Sequence, residues 1–394
     1  MTPVVAAVAG VLEAARREGV AGALSAAVLS GGRLVHASCH GELEAPDARP
    51  LRRDDLFDVA SLTKVMATTT LAAQLAEEDA LRLDAPVAEV LPGFEAAGKG
   101  AVTARHLLAH ASGLPEWRPY YERAARDPVA GRAFLPPSER PPPAALAEAA
   151  RRGRAIVREA VLAEPLEALP GARARYCDPG FIALGLALEA IAGAPLAVLA
   201  ERRIFGPLGL ASTGFLDGAE PDRVRARAEG RAFAPTGFSA PRRERLRGAV
   251  NDDNAWAMGG VGGHAGVFST AAEVAALGQA WLEGLSGERG PVPPAAAEEF
   301  ARRDAATPGS TRALGWDTPS GAAPSIGTRL GRGPRGAIGH LGYTGCSLWL
   351  DLDAGVVCAL LTNHVHPSGK SDKPRIRQLR RSFHDAVAEA LGIR

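Results

Sequence analysis

Strand-like segments lie near both ends of this chain and helical segments fill its middle, an order that few folds accommodate. Ala23–Leu29 and Arg33–Cys39 are apolar-rich runs on either side of Ser30-Gly31-Gly32, the pattern of a hairpin. Cys346–Leu352 and Val356–Asn363 repeat that pattern around Asp353-Ala354-Gly355. A helical pattern precedes the first pair, and another, at 373–391, follows the second. The expectation is an α/β chain whose sheet is assembled from both ends, with a mainly helical part inserted between. The sheet lobe would span approximately 1–60 and 255–394 and the helical lobe approximately 61–254, in a single unit. With 394 residues, 46% of them hydrophobic, the chain has the apolar material for such a core.

The helices announce themselves by their ends. Thr2 reads as an N-cap with Pro3 at the first helical position, Val4, Val8 and Leu12 share a face, and Gly19 is the stop. The clearest helix runs from Ser61 to Glu78, and Thr103–His110 begins another behind a Thr cap. Helical pattern recurs at 179–192 behind Asp178-Pro179, at 195–204 and at 270–284. Residues 114–145 contain Pro136-Pro137 and Pro141-Pro142-Pro143, too proline-rich for regular structure, and read as an exposed loop or lid. Residues 216–250 hold Arg223, Arg225, Arg227, Arg231, Arg242, Arg243, Arg245 and Arg247 and read as a solvated, irregular excursion.

A net charge of +1 gives no electrostatic case for nucleic acid or an acidic membrane. No run reaches the roughly 18 apolar residues of a transmembrane helix, and the amino end lacks the basic region of a secretory leader, so a cytoplasmic location is expected. Cys39, Cys177, Cys346 and Cys358 are isolated and form neither a disulfide framework nor a zinc pattern. Only four of the 45 basic residues are Lys (Lys64, Lys99, Lys370 and Lys373), and the other 41 are Arg. Arg stays charged whereas a buried Lys can lose its proton, so a Lys inside an apolar segment invites a chemical explanation.

Lys64 is such a residue, within Val59-Ala60-Ser61-Leu62-Thr63-Lys64-Val65-Met66. Ser61 falls where the helix starts, so its N–H and the helix dipole face any developing oxyanion. Lys64 follows one turn later, which brings its amine over the Ser61 hydroxyl. A hydroxyl becomes a nucleophile only with a neighbouring base, and Lys64 is placed to act as one or relay for one. The alternative is a Ser cap followed by an exposed Lys.

Three blocks in order give this chain a family resemblance: Ser61-Leu62-Thr63-Lys64, Tyr176-Cys177-Asp178 and His340-Leu341-Gly342. Together with Leu107–Pro115, Pro207–Thr213 and Gly259–Thr270, they resemble the serine β-lactamase and penicillin-binding protein superfamily over roughly residues 20–390. The likeness is greatest to its class C-like branch of esterases, D-amino peptidases and β-lactamase-related hydrolases. It implies a β-lactamase/transpeptidase-like fold, an antiparallel sheet flanked by the terminal helices with a mainly helical insert. It implies Ser61 as acylated nucleophile, Lys64 as holder or relay of its proton, and Tyr176 as the phenol that shuttles the proton to the leaving group. The N–H groups of Ser61 and Tyr343 would form the oxyanion hole, and Asp178, His340 and Gly342 would line the substrate pocket. No metal and no organic cofactor are implied, and the only partner implied is a small-molecule substrate.

Two positions depart from the family pattern. Asp178 stands where Asn is usual, and an ionised Asp only accepts hydrogen bonds. It is expected to hold Lys64 charged, leaving Tyr176, with its pKa lowered by that ammonium, to act as base. His340 replaces a permanent Lys charge, and is expected to titrate near neutrality and to sense substrate carboxylates. Both changes point from β-lactams toward an ester or D-amino-acid amide. The alternatives are a penicillin-binding DD-peptidase or weak β-lactamase, and a non-catalytic binding protein on the same fold.

Other motifs carry less. Gly260–Ala265 fits GxGxxG/A but follows no strand pattern. His106 and His110 have helical metal spacing without an intervening Glu and read as core or capping histidines, and His364 and His366 read as a surface pair. His264 either borders the cleft or packs among glycines. Trp117, Tyr120 and Tyr121 either shape a pocket or anchor a loop.

Overall fold

The computed structural model describes residues 3–44, 48–216 and 229–393. A six-stranded antiparallel sheet forms its centre, in the order β3-β2-β1-β11-β10-β9. The first three strands are β1 (Ala23–Ser30), β2 (Arg33–Leu43) and β3 (Arg49–Pro50), and the last three are β9 (Ala337–Leu341), β10 (Ser347–Asp351) and β11 (Val356–Thr362). The two ends of the chain meet where β1 pairs with β11, Ala26 opposite Leu360. Both expected hairpins are present, with Gly31 and Gly32 turning the first at positive φ.

Alternation along β11 shows why the sheet is covered on both faces. Val356, Cys358 and Leu360 point into one core and Val357, Ala359 and Leu361 into the other. The first core is closed by α1 (Pro3–Arg17), through Val4, Val8 and Leu12, and by the carboxyl-terminal helix, through Leu379, Phe383 and Val387. Gly19 ends the first helical segment at a φ of +68°, whereas the expected Thr2 cap lies outside the described residues. The opposite core continues into the helical part of the chain.

Between the two halves of the sheet lie α2 (Thr70–Glu77), α3 (Ala104–Leu108), α4 (Tyr121–Arg126), α5 (Pro143–Ala163), α6 (Asp178–Ala192) and α7 (Leu196–Ala200). They are followed by α8 (Asp253–Ala257), α9 (Ala271–Leu285) and α10 (Pro294–Ala301), and α11 (Lys373–Ala390) closes the chain. The helix expected from Ser61 opens as a π-helical segment, Lys64–Thr69, before α2. A three-stranded sheet, β4 (Phe57–Asp58), β8 (Val267–Ser269) and β5 (Gly214–Phe215), runs alongside, and β6 (Gly237–Ser239) pairs with β7 (Glu244–Leu246).

Two expectations need correction here. Residues 114–145 are not without regular structure: they hold α4, two short 3₁₀ turns and the first turn of α5, whose helix starts on the third proline of Pro141-Pro142-Pro143. A proline at the first helical position leaves no donor unmet, so the proline cluster starts a helix as readily as it breaks one. The 216–250 excursion is not simply solvated either. Arg223, Arg225 and Arg227 lie outside the described residues, but Arg242 is fully buried, paired with Asp253 at 2.7 Å and stacked 4.8 Å from the Trp256 ring.

Candidate active site

Ser61 sits on a kink between strand and helix. Val59 N–H donates to the Val267 carbonyl at 3.1 Å, continuing the β4–β8 pairing, and Ala60 then takes a φ of +49°. A non-glycine residue in that region is strained, and here the Asp58 carboxylate holds it by accepting the Ala60 N–H at 2.8 Å. The second Asp58 oxygen accepts the Asn251 N–H at 2.6 Å. Burial raises the Asp58 pKa to about 6 despite these two donors. After the kink, Thr63 accepts the Val267 N–H at 3.1 Å and Thr68 donates to the Gly263 carbonyl at 2.6 Å, tying the helix to segment 263–267.

Tyr176 and Asp178 arrive on the start of α6, where the Cys177 sulfur caps the Gly180 N–H at 3.1 Å. His110 grips this segment from both sides. Its carbonyl accepts the Arg175 N–H at 2.8 Å and its Nδ1 accepts the Cys177 N–H at 3.0 Å, while its ring lies 4.6 Å from that of Tyr176. The reading of His110 as a core histidine stands, with the addition that it positions Tyr176. His106 caps α3, its Nδ1 accepting the Thr103 N–H at 3.2 Å.

The three blocks converge on one oxygen. Lys64 Nζ lies 3.1 Å from Ser61 Oγ, and the Tyr176 hydroxyl donates to the same Oγ at 2.8 Å. Lys64 is fully buried, and its other two partners are Asp178 Oδ1 at 2.7 Å and the His264 carbonyl at 3.1 Å. Three acceptors match the three protons of an ammonium. Burial opposes that charge, yet the Asp178 carboxylate and the Tyr176 oxygen outweigh it and hold the Lys64 pKa above its ordinary value.

The expected lowering of Tyr176 does not occur. Burial pushes its pKa up by more than the adjacent Lys64 ammonium pulls it down.

His340, on edge strand β9, lies in the same cleft with its ring 6.1 Å from Tyr176. The expectation that it titrates near neutrality is overturned. Burial, then the charges of Lys64 and Arg312, push its pKa well below the ordinary imidazole value, so the ring is neutral. Its Nδ1 lies 3.0 Å from the Leu341 carbonyl, which can only accept, so the proton is on Nδ1 and Nε2 carries the lone pair. That Nε2 is buried without a partner among the described residues. Gly342 is a glycine because a Cβ there would lie 2.6 Å from the Val59 carbonyl oxygen, two residues before Ser61. The turn after it is clamped by Arg380 of α11, which donates to the Gly342 and Cys346 carbonyls, each at 2.8 Å. Among the described residues, neither the Ser61 nor the Tyr343 N–H is taken by a backbone acceptor.

The cleft around these groups has a volume of about 950 Å³. Trp117 and Tyr121 line it, and Tyr343 and Phe238 stand half exposed at its edge, whereas Tyr120 is buried with its hydroxyl on Glu164 at 3.0 Å. The aromatic run therefore divides: Trp117 and Tyr121 shape the pocket and Tyr120 anchors the loop.

The same arrangement of chain has known counterparts. A family model described as Beta-lactamase matches residues 5–381. A protein of Escherichia coli (strain K12) named "Putative D-alanyl-D-alanine carboxypeptidase" is 31% identical over 327 residues, 79% of this chain and 69% of that protein. The chain belongs to the beta-lactamase family. Solved structures bear out the fold of this beta-lactamase family member. "EstCE1, a hydrolase with promiscuous acyltransferase activity" superimposes with a TM-score of 0.69 at 23% identity, covering 98% of each chain. A D-stereospecific amidohydrolase from Streptomyces sp. does so with a TM-score of 0.62 at 21% identity, covering 95% of this chain and 98% of its own.

For a beta-lactamase family member, two features of this site were not legible as motifs. His264 borders the cleft and also supports Lys64. Its carbonyl accepts from Nζ, and its Nε2 is fixed 2.9 Å from Asp252, whose pKa falls to about 2 although burial opposes this, the paired His264 being the largest of the opposing causes. Arg312, paired with Asp317, reaches within 5.6 Å of the Tyr176 ring from a segment with no recognisable pattern. The glycines around His264 were the one available signal for the first. His364 and His366, by contrast, are not a surface pair: His364 is buried, Nδ1 on the Val20 carbonyl at 2.6 Å and Nε2 accepting the Asp372 N–H at 3.0 Å, and His366 pairs with Glu44.

Proposed function

We propose that this beta-lactamase family member is a serine hydrolase that forms an acyl-enzyme on Ser61 and acts on an ester or a D-amino-acid amide. The observation that carries this reading is the meeting of Lys64 Nζ and the Tyr176 hydroxyl on Ser61 Oγ, at 3.1 and 2.8 Å.

The active form is the Tyr176–Lys64 pair after losing one proton, a loss that belongs to the pair rather than to either residue. Ser61 Oγ bonds to the substrate carbonyl carbon as its proton passes to that pair. The carbonyl oxygen takes the negative charge, facing the Ser61 and Tyr343 N–H groups. As the tetrahedral species collapses, the bond to the leaving group breaks and that group takes the proton from Tyr176. Water then enters by the same route in reverse, releasing the acid and restoring Ser61.

The substrate class rests on two departures. Asp178 is occupied by Lys64 and offers no amide donor, and His340 is neutral, so neither serves the amide and carboxylate of a β-lactam as the family pattern would. The names of the D-stereospecific amidohydrolase and of the hydrolase with promiscuous acyltransferase activity agree with this choice, whereas "Putative D-alanyl-D-alanine carboxypeptidase" names the DD-peptidase alternative. The test is Ser61→Ala against p-nitrophenyl butyrate, with intact mass recorded after exposure to a fluorophosphonate. Loss of a nucleophile typically lowers turnover by about 10³-fold or more. The adduct should form on the native protein and not on the variant. A variant keeping more than about a tenth of the activity overturns the assignment.

A further inference from the structure

The four lysines of this Arg-rich chain sort themselves by place. Lys64 meets Ser61, and Lys99 is buried as a structural clamp, donating to the carbonyls of Ala96, Leu162 and Glu164 at 2.7, 2.9 and 2.8 Å. The remaining two, Lys370 and Lys373, both line the wall of the cleft that holds Ser61, and Arg377 lines it one turn further along α11. All three are exposed, and among the described residues no carboxylate is paired with any of them. Asp372, between them, is used as the cap of α11, accepting the Arg375 N–H at 3.3 Å, and does not line the cleft.

Apart from the exposed Glu116 beside Trp117, the charges of the rest of the wall are paired. Asp178 faces Lys64, Asp252 faces His264, Asp253 faces Arg242 and Asp317 faces Arg312, while Arg380 is consumed by backbone carbonyls. Close to the nucleophile no free cation is available at the third block. His340 is neutral and Leu341 has no hydroxyl. A substrate anion held at His340 and Leu341 would therefore meet a lone pair and an apolar side chain, whereas one held against the 370–377 wall would meet three cations without a carboxylate partner.

We propose that Lys370, Lys373 and Arg377 form an anion subsite that takes a carboxylate carried by the substrate several atoms from its scissile carbonyl. This rests on the reading of Ser61 as nucleophile and adds the shape of the substrate: a reactive carbonyl, a spacer, and a terminal carboxylate. Three exposed cations bind a carboxylate modestly and in a salt-dependent way.

The experiment compares the mono-p-nitrophenyl ester of suberic acid with its neutral ω-carboxamide counterpart. Native protein and the Lys370→Gln/Lys373→Gln/Arg377→Gln variant are both assayed, at low and at high salt, with folding of the variant checked by its melting temperature. Native protein should show a KM about tenfold lower for the carboxylate, as expected for partly screened ion pairs, shrinking with salt. In the variant the two esters should become equivalent. Equal KM values in the native protein, or a preference that survives in the variant, overturn the subsite while leaving Ser61 in place. If neither ester is hydrolysed, the reading of Ser61 falls. The subsite is then decided by calorimetry with suberic acid monoanilide, which must bind native protein about tenfold more tightly than its carboxamide form.

Discussion

A lysine that donates to three acceptors at once has no lone pair to offer, and Lys64 is in that position. With Lys64 and Tyr176 both held above their ordinary values, the pair keeps its full complement of protons at neutral pH. Its deprotonated, active form grows as pH rises, so kcat/KM for a neutral ester should climb from pH 7 to about 10, an interval that approaches the ordinary range of both groups. Tyr176→Phe should cost about 10²–10⁴-fold, the usual worth of a positioned proton carrier, and should flatten that limb. A limb that survives in the variant removes Tyr176 from the proton path. Asp178→Asn removes the carboxylate that keeps Lys64 charged, so the limb should move to lower pH, and the new amide donor should speed penicillin acylation relative to short esters. An intact-mass time course measures this, and penicillin acylation by the native protein as fast as ester turnover would contradict it. The approach of Lys64 to Ser61 was legible in the sequence because one helical turn separates them, whereas Tyr176 was reached only through the family resemblance. The sense in which Tyr176 and His340 titrate was not legible, because it depends on how much of the chain surrounds them.

At the scale of elements, the site depends on a few close approaches between backbones. Gly342 brings the end of β9 against Val59, two residues before Ser61, and Ala there would place a Cβ 2.6 Å from a backbone oxygen that cannot swing aside. Gly342→Ala should therefore separate the Tyr343 N–H from the nucleophile. A misplacement on the order of 1 Å costs about 10²-fold, and this should appear in kcat alongside a lowered melting temperature from the buried clash. Unaltered kcat would mean that the edge of β9 does not set the oxyanion geometry. Such contacts explain what the sequence hid at this scale. The two hairpins and both terminal helices were readable from turn residues and caps, since those signals are local. The first turn of α5 was masked by its prolines. The π-helical segment Lys64–Thr69 was masked too, because its support is distant: Thr70 donates to the Val65 carbonyl at 2.7 Å and accepts from the Trp281 ring at 3.1 Å, 211 residues away.

The whole molecule carries more buried neutral histidines than its active site needs, and they decide how it responds to acid. Burial pushes His36 and His384 down to about 4, and His110 and His340 well below their ordinary value. Once unfolded, each of these imidazoles binds a proton near pH 6.5, about the unperturbed value, while the folded chain refuses it. Stability is therefore fully present above about pH 6.5 and is lost as pH falls toward 4. Asp58 works in the opposite sense: with its pKa raised to about 6, the folded chain takes up a proton first, and acid between about 6 and 4 relieves the burial of its charge. With half-buried His106, whose pKa burial also lowers, five imidazoles against one carboxyl leave a net loss, at most roughly 5 kcal/mol per pH unit near pH 5, taking about 1.36 kcal/mol per differential proton. Asp252, at about 2, extends the loss below pH 4. The melting temperature should accordingly fall steadily from pH 7 to 4.5. His384→Gln keeps a donor for the Ser325 carbonyl, which His384 Nδ1 meets at 2.9 Å, but removes one titrating ring, and should make that fall shallower. A melting temperature that holds or rises down to pH 5 would mean that relief at Asp58 outweighs the histidines, and that these rings accept protons without opening the fold.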